Sequence, residues 1–141
     1  MTEEERSFIR THRVARLATV DAGGQPHVVP IVYAFDGQQL YTPIDAKPKR
    51  VEALRLQRVR NIQANPQVAL VVDEYSEEWS QLAWVQIRGI ATLLEDGATH
   101  ARAVDLLHDK YPQYATMPLD QRPIIAITPT RVLSWQSDRQ G

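Results

Sequence analysis

The stretch PHVVPIVYAFDGQQLYT, residues 26–42, decides the fold class of this chain. β-Branched and aromatic residues dominate its first ten positions, which predicts a strand from Pro26 to Phe35. Asp36-Gly37 then supplies the residues of a tight turn, and a further strand follows over residues 39–42. Strands joined by so short a turn pair antiparallel, so we expect consecutive strands of a meander here.

Pro30 lies inside the first of these strands. Proline has no backbone N–H to donate to a neighbouring strand, and it is therefore confined to a sheet edge, a bulge, or a place where something other than a strand meets the backbone. We expect Pro30 to occupy one of these three kinds of position.

The same patterns extend outward along the whole chain. Thr2 and Glu5 have capping-box spacing at the start of a short helix, and Gly89 indicates a bulge or a close approach within a long strand. Strands outnumber helices, hairpins dominate, and strands and helices do not alternate regularly. These features predict a mostly β fold with flanking helices (α+β), an antiparallel barrel. Further strands are predicted over 13–21, 68–72, 83–94, 124–127 and 131–135, and helices over 47–64 and 99–110.

Length and composition fit one folded domain spanning residues 1–141. The chain is 43% hydrophobic and 23% charged, close to the averages for globular proteins. No run approaches the roughly 20 apolar residues of a membrane helix, and the acidic N-terminus does not resemble a secretory signal. With no cysteine for disulfides, we expect a cytoplasmic protein without a membrane partner.

Charge and motifs exclude several functional classes. A net charge of −1 argues against nucleic acid as a partner. The four histidines have no spacing that suggests a metal site, and the chain has no glycine-rich phosphate loop or nucleophile elbow. We therefore expect no bound metal, and no catalytic residue can be assigned.

A basic cluster follows the strand that ends near Thr42. Residues 47–60 contain six cations and one anion, although the whole chain carries a net charge of −1. Cations at a helix start oppose the helix dipole, whereas an anion there is favoured. We therefore interpret Lys47, Lys49 and Arg50, with the Thr42 hydroxyl, as a phosphate site. A merely solvated basic helix is the alternative.

Several segments, in their order, resemble the pyridoxamine 5'-phosphate oxidase-like superfamily of split β-barrels, and most closely its branch of F420-dependent oxidoreductases. The resemblance runs through most of the chain. The segments are LATVD (17–21) with GQP (24–26), LYT (40–42) before the basic cluster, NPQVAL (65–70), ITP (127–129) and VLSWQ (132–136).

The resemblance implies a homodimer with a phosphate-bearing flavin or deazaflavin, FMN or F420, in a cleft at the interface. The residues that it implies fall into three groups. Lys47, Lys49 and Arg50, with Tyr41 and Thr42 near by, would hold the phosphate. The backbone of Val29, Pro30, Ile31 and Val32 would support the ring, and Trp135 would wall the site.

The expected function is an oxidoreductase that uses F420 or FMN to transfer a hydride to or from a small organic substrate. The chain ends SDRQG (137–141) where true pyridoxamine phosphate oxidases have an Arg-Leu-His type motif, so we do not expect vitamin B6 oxidation. Two alternatives stay open. One is a non-catalytic protein that binds, stores or senses the cofactor; the other is a haem-handling protein, for which His27 would be the candidate ligand.

Overall fold

Three helices and seven strands form the described part of the chain, residues 1–44 and 56–137 of a computed structural model. Short 3₁₀ turns lie at Trp79–Gln81 and Pro112–Thr116. The helices are α1 (Glu3–Thr11), α2 (Gln57–Ala64) and α3 (Ala98–Lys110). The strands are β1 (Ala15–Val20), β2 (Pro26–Ile31), β3 (Ala34–Phe35), β4 (Leu40–Pro43), β5 (Gln67–Glu74), β6 (Ala83–Leu94) and β7 (Ile124–Gln136).

All seven strands belong to one antiparallel sheet with the order β2-β1-β5-β6-β7-β4-β3. This arrangement confirms the predicted fold class, a mostly β, split-barrel structure with flanking helices. β2 lies at one edge of the sheet, so the position of Pro30 is an edge position, one of the three expected for it.

The connection between β2 and β3 forces the sheet to curl. β2 ends at Ile31 and β3 begins at Ala34, yet these strands are the two ends of the strand order. An extended chain advances at most about 3.6 Å per residue, so the two edges meet within roughly 11 Å here. In a flat sheet, seven strands about 4.8 Å apart would separate those edges by roughly 29 Å. The sheet is therefore a barrel that is split between β2 and β3.

The prediction of one strand from Pro26 to Phe35 is wrong, and so is the meander. Val32 and Tyr33 leave the sheet between β2 and β3, and β4 pairs with β3 and β7 rather than with β2. No glycine or polar residue marks this break in the sequence. Contacts distant in the sequence hold Tyr33 out of any strand, which a local pattern does not reveal.

The N-terminal helix begins as its sequence predicts. The Thr2 hydroxyl accepts a hydrogen bond from the Glu5 backbone N–H at 3.0 Å, and the Glu5 carboxylate accepts one from the Thr2 backbone N–H at 2.8 Å. This capping box satisfies two donors that the helix leaves without an internal partner. Ile9 on the next turn is fully buried, and it anchors α1 to the barrel.

Two apolar cores lie on opposite sides of the sheet. The larger fills the barrel with side chains such as Leu17, Leu70 and Ile87, and α2 contributes Val59 and Ile62 to it. The smaller core is covered by α3. Its members include Tyr41, Ala103, Leu107, Tyr111 and Ala126. None of the described helices is long and apolar enough to cross a bilayer.

The two last strands predicted from the sequence are one long strand, β7, with an irregularity opposite Gly89. Arg88 pairs with Arg131 whereas Gly89 pairs with Pro129, so Thr130 is the extra residue of a β-bulge. The Thr130 hydroxyl donates to the Arg88 carbonyl at 3.2 Å. The bulge expected at Gly89 is thus confirmed.

Gly89 cannot take a side chain without moving the backbone of β7. A Cβ at this position would lie 2.6 Å from the Thr128 carbonyl oxygen. We expect Gly89→Ala to lower the free energy of unfolding by about 1–3 kcal/mol, the usual cost of overpacking. Urea denaturation measures this change.

Gly23→Ala is the matched control, since a Cβ there would meet its nearest atom, Asp21 Oδ1, at 3.5 Å, an ordinary contact. Equal stability of the wild type and Gly89→Ala would contradict the close approach at the bulge.

Candidate functional site

A crevice of about 230 Å³ opens where the barrel is split. Its walls come from five parts of the chain: the residues before β1, the end of β2, the β2–β3 connection, the end of β4, and α2. The lining residues are Val14, Pro30, Ile31, Val32, Thr42, Pro43 and Arg58. The crevice therefore exists because the sheet is curled.

The crevice combines an apolar wall with two polar groups. Val14, Pro30, Ile31 and Val32 provide the apolar surface, and Thr42 and Arg58 provide a hydroxyl and a guanidinium. Thr42 is 1% exposed, so its hydroxyl lies in a largely dehydrated position. Such a lining suits a flat apolar molecule with an anionic group, because hydrogen bonds to a charged partner are strong where water is excluded.

Buried polar contacts hold α2 against the barrel. Asn61 is 2% exposed, and its amide donates to the Thr19 hydroxyl at 2.9 Å. Gln57 in turn donates to the Asn61 side-chain oxygen at 2.6 Å. Arg58 lies one turn before Asn61 and Ile62, on the helix face that meets the barrel, whereas Arg60 is exposed. These contacts therefore fix the helix that carries Arg58.

The β2–β3 connection, which carries the crevice residue Val32, is held by Tyr111. The Tyr111 hydroxyl accepts from the Tyr33 backbone N–H at 3.2 Å and donates to the Arg13 carbonyl at 2.7 Å. The Tyr33 hydroxyl donates to the Ile9 carbonyl at 2.6 Å. Helices α1 and α3 are thereby tied to one side of the crevice.

Lys110 lies beside this connection in a position that disfavours its charge. Its ammonium group is 4.1 Å from the centre of the Tyr33 ring and donates to the His12 carbonyl at 2.6 Å. Burial, and secondarily the nearby charge of Arg13, lower the pKa of Lys110 to about 8. Burial also raises the pKa of Tyr33 and of Tyr111, so both stay protonated well into the alkaline range.

The structure brings together four of the side chains that the sequence singles out. Pro30, Ile31, Val32 and Thr42 all line the crevice. Tyr41 does not, because neighbouring residues of a strand point to opposite sides. Its ring is fully buried beneath α3, and its hydroxyl oxygen lies 2.9 Å from Asp36 Oδ2.

Two further groups of predicted residues lie elsewhere. Val29 is partly buried against the barrel core, although its backbone belongs to β2 next to the crevice. Trp135 is 47% exposed and pairs with Trp84 across β6 and β7, in a separate groove beside α1. Lys47, Lys49 and Arg50 fall outside the described residues.

Three lining residues were not selected from the sequence: Val14, Pro43 and Arg58. Arg58 was counted in the basic cluster without being chosen as an anchor. Its place on the apolar face of α2, next to Val59 and Ile62, is the sequence signal that could have identified it. Val14 and Pro43 carry no comparable signal, because they reach the crevice only through the curl of the sheet.

The histidines of the described residues do not gather at the crevice. His100 is buried and lies 2.7 Å from the Arg122 carbonyl oxygen, and His12 lies 3.5 Å from the Glu74 carboxylate. His27 Nδ1 is buried and has no hydrogen-bond partner among residues 1–44 and 56–137. Within those residues, no three potential metal ligands form a group.

Comparison with known proteins agrees with this architecture. The family profile described as pyridoxamine 5'-phosphate oxidase matches residues 1–136. The chain therefore belongs to the pyridoxamine 5'-phosphate oxidase family, as its motifs indicated.

Two relatives and one protein of the same fold have different names. A 5a,11a-dehydrotetracycline/5a,11a-dehydrooxytetracycline reductase of Streptomyces rimosus is 28% identical over 135 residues, which are 95% of this chain and 82% of that protein. The structure of an F420 reductase is 28% identical with a TM-score of 0.70, over 94% of this chain and 98% of that one. HutZ, a haem storage protein of Vibrio cholerae, shares the fold at 16% identity and a TM-score of 0.73, over 98% and 95% of the two chains.

The low pKa of Lys110 predicts how stability depends on pH. The folded value of about 8 lies below the ordinary value of 10.5, so the unfolded chain binds the proton more tightly. The cost of charging Lys110 is fully present below pH 8 and disappears as the pH rises towards 10.5. We expect wild type to gain stability relative to Lys110→Met between about pH 7 and pH 9.5.

Urea denaturation of both proteins at constant ionic strength measures this difference. The Met variant cannot titrate at this position, so groups common to both proteins cancel. A difference that stays flat or falls with pH would show that Lys110 is not desolvated.

Proposed function

We propose that this protein is an oxidoreductase that binds F420 or FMN in the crevice and transfers a hydride to or from a small organic substrate. The observation that carries the proposal is the crevice itself, where the Thr42 hydroxyl and the Arg58 guanidinium adjoin an apolar wall. A ring-shaped cofactor with a phosphate requires this combination. The bound cofactor would supply the hydride chemistry, and the protein would hold it, orient it and exclude water.

Lys47, Lys49 and Arg50 would complete the phosphate site together with Thr42 and Arg58. Pro43 and Arg58 flank the stretch that contains these cations in the sequence, and both line the crevice. The Thr42 hydroxyl would donate to a phosphate oxygen, and the cations would neutralise its charge. The backbone from Val29 to Val32 would support the ring, with the side chains of Ile31 and Val32 as part of the apolar wall.

A homodimer would complete the site. Ligand sites usually measure about 300–1,000 Å³, whereas the crevice of one chain measures about 230 Å³. Val14 in the crevice lining and Val28 on the neighbouring strand β2 are 42% and 61% exposed, so apolar surface is available there for a second copy of the chain to cover. Trp135, which is distant from the crevice of its own chain, would contribute to a cofactor site only in such a dimer.

The similar proteins support a reductase more than a pyridoxamine phosphate oxidase. Both 28%-identical relatives are named as reductases, one as an F420 reductase and the other as a dehydrotetracycline reductase. We therefore propose reduction of a planar organic substrate.

Substitution of Arg58 tests the anchor. A charge-assisted hydrogen bond contributes about 1.5–3 kcal/mol, so we expect Arg58→Ala to weaken FMN binding about tenfold or more. Arg60→Ala is the matched control, because Arg60 lies on the same helix but is exposed, and FMN has no acidic tail for it to contact. Isothermal titration of FMN and of F420 gives the affinities.

The same titrations with Lys49→Ala and Arg50→Ala test the anchors that the sequence selects. Each should weaken both cofactors by a similar factor. Unchanged affinity in these two variants would refute their assignment as anchors, and unchanged affinity in Arg58→Ala would refute the crevice as the phosphate site.

Turnover separates an oxidoreductase from a protein that stores or senses the cofactor. We expect the loaded protein to transfer a hydride from its reduced cofactor to quinone-like or polycyclic acceptors. The absorbance of the oxidised F420 or FMN measures this reaction. Tight binding without turnover across such a panel would favour storage. A Soret band in the purified protein, lost in His27→Ala, would instead indicate haem handling.

A further inference from the structure

The one lysine among residues 1–44 and 56–137, Lys110, ends α3 and lies against two aromatic rings. Its Nζ is 4.1 Å from the centre of the Tyr33 ring and 5.5 Å from the centre of the Tyr111 ring. The rings shield the amine from water on two sides, yet the lysine side chain is only partly buried. The amine is therefore both partly desolvated and within reach of a small molecule.

The groups around Lys110 offer its ammonium one hydrogen bond and no carboxylate. Nζ donates to the His12 carbonyl at 2.6 Å. Arg13 donates to the Lys110 carbonyl at 2.8 Å, and its guanidinium adds a second positive charge near by. Glu74 forms an ion pair with the His12 ring instead. Within the part of the chain that the structure describes, the charge of Lys110 therefore has no ion-pair partner.

These surroundings favour the neutral amine. Burial, and secondarily the charge of Arg13, lower the pKa of Lys110 to about 8, although the face of the Tyr33 ring attracts the cation. At pH 7.5, roughly a quarter of these amines are neutral, against about one in a thousand for a lysine with the ordinary pKa. Desolvation and a neighbouring cation are also the two conditions under which a lysine becomes a nucleophile in proteins.

The neutral amine keeps its place in the structure. One N–H still donates to the His12 carbonyl, and the lone pair that deprotonation creates is available to attack an electrophile. An arginine could not react in this way, because its guanidinium is not deprotonated in proteins. The chain has 13 arginines and three lysines. Among the lysine and arginine side chains of residues 1–44 and 56–137, only Lys110 can therefore become a nucleophile.

Lys110 is distant from the exposed apolar surface around Val28. It contacts residues 12 and 13, before the start of β1, whereas Val28 pairs with Ala18 five residues further along the chain. The helix that carries Lys110 covers the second core, whose strand residues come from β3, β4 and β7. The amine also lies outside the lining of the crevice.

We propose that Lys110 is a site of covalent modification, at which the amine accepts an acyl group from a small acyl phosphate. The Nζ lone pair attacks the acyl carbon, a C–N bond forms, and the C–O bond to phosphate breaks. Inorganic phosphate leaves with the bonding electrons, and the proton that Nζ loses passes to solvent. The donor is small because the two tyrosine rings leave only part of the amine open. This site does not depend on the function proposed for the crevice.

Acetyl phosphate is the probe, and peptide mass spectrometry of the full chain locates and counts the acetyl groups over time. Gln113→Lys is the matched control, because it adds a lysine at an exposed position three residues beyond Lys110. At pH 7.5 we expect Lys110 to react about tenfold or more faster than the added lysine. The larger neutral fraction outweighs the lower nucleophilicity of a less basic amine.

The pH profile gives a readout that accessibility alone would not change. The rate at Lys110 should rise with a midpoint near pH 8 and then level off, whereas the rate at the added lysine should keep rising towards pH 10.5. Arg13→Gln should move the midpoint for Lys110 upward, because it removes the neighbouring charge. In the urea-unfolded chain the two lysines should react at similar rates, because the environment of Lys110 is lost.

Three results would overturn the proposal. Equal rates at the two positions in the folded chain at pH 7.5 would mean that the surroundings of Lys110 do not activate it. A rate at Lys110 that keeps rising beyond about pH 9.5 would mean that its amine titrates as an ordinary lysine. Acetylation confined to Lys47, Lys49 and the N-terminal amine would mean that the tyrosine rings close the site to the donor.

Discussion

The two-residue connection between β2 and β3 is the constraint on which the rest of the structure depends. It joins strands at opposite ends of a seven-stranded order, and the sheet must bend until its edges meet. The crevice is a direct consequence, because its lining includes the end of β2, Val32 of the connection, and the end of β4, the strand that pairs with β3. The end of β2 and the connection supply apolar side chains to the crevice, whereas Thr42 of β4 and Arg58 of α2 supply its polar groups.

Such a connection needs support, because Val32 and Tyr33 leave the sheet and cannot satisfy their backbone groups within it. The Tyr111 hydroxyl, at the end of α3, accepts a hydrogen bond from the Tyr33 backbone N–H, and the buried Tyr33 ring covers the Lys110 ammonium. Holding that ammonium partly out of water is unfavourable, as the lowered pKa of Lys110 reveals. The split of the barrel is therefore kept in one conformation by contacts that cost some stability at neutral pH.

Local signals in the sequence were sufficient for most elements and insufficient for this connection. The capping box of α1 and the full length of β6 follow from spacing, and the chemistry of proline restricts Pro30 to three kinds of position, of which the edge is the one found. The break at Val32 and Tyr33 does not, because both residues favour strands, and Tyr33 is held outside the sheet by residues distant in the sequence, Ile9 and Tyr111. A strand can be predicted from its own residues, but an interruption caused by tertiary contacts cannot.

The placement of charges gives the most information about function that the sequence holds. The chain has 17 acidic and 16 basic residues, so carboxylates are not scarce, and Arg16 and Arg6 both lie next to one. Arg88 and Arg131 lie together on a face that holds a suitable acid, Asp73, yet this acid pairs with Arg16 instead. Among residues 1–44 and 56–137, the charges of this face are therefore not arranged for ion pairing alone, because two like charges lie side by side across β6 and β7.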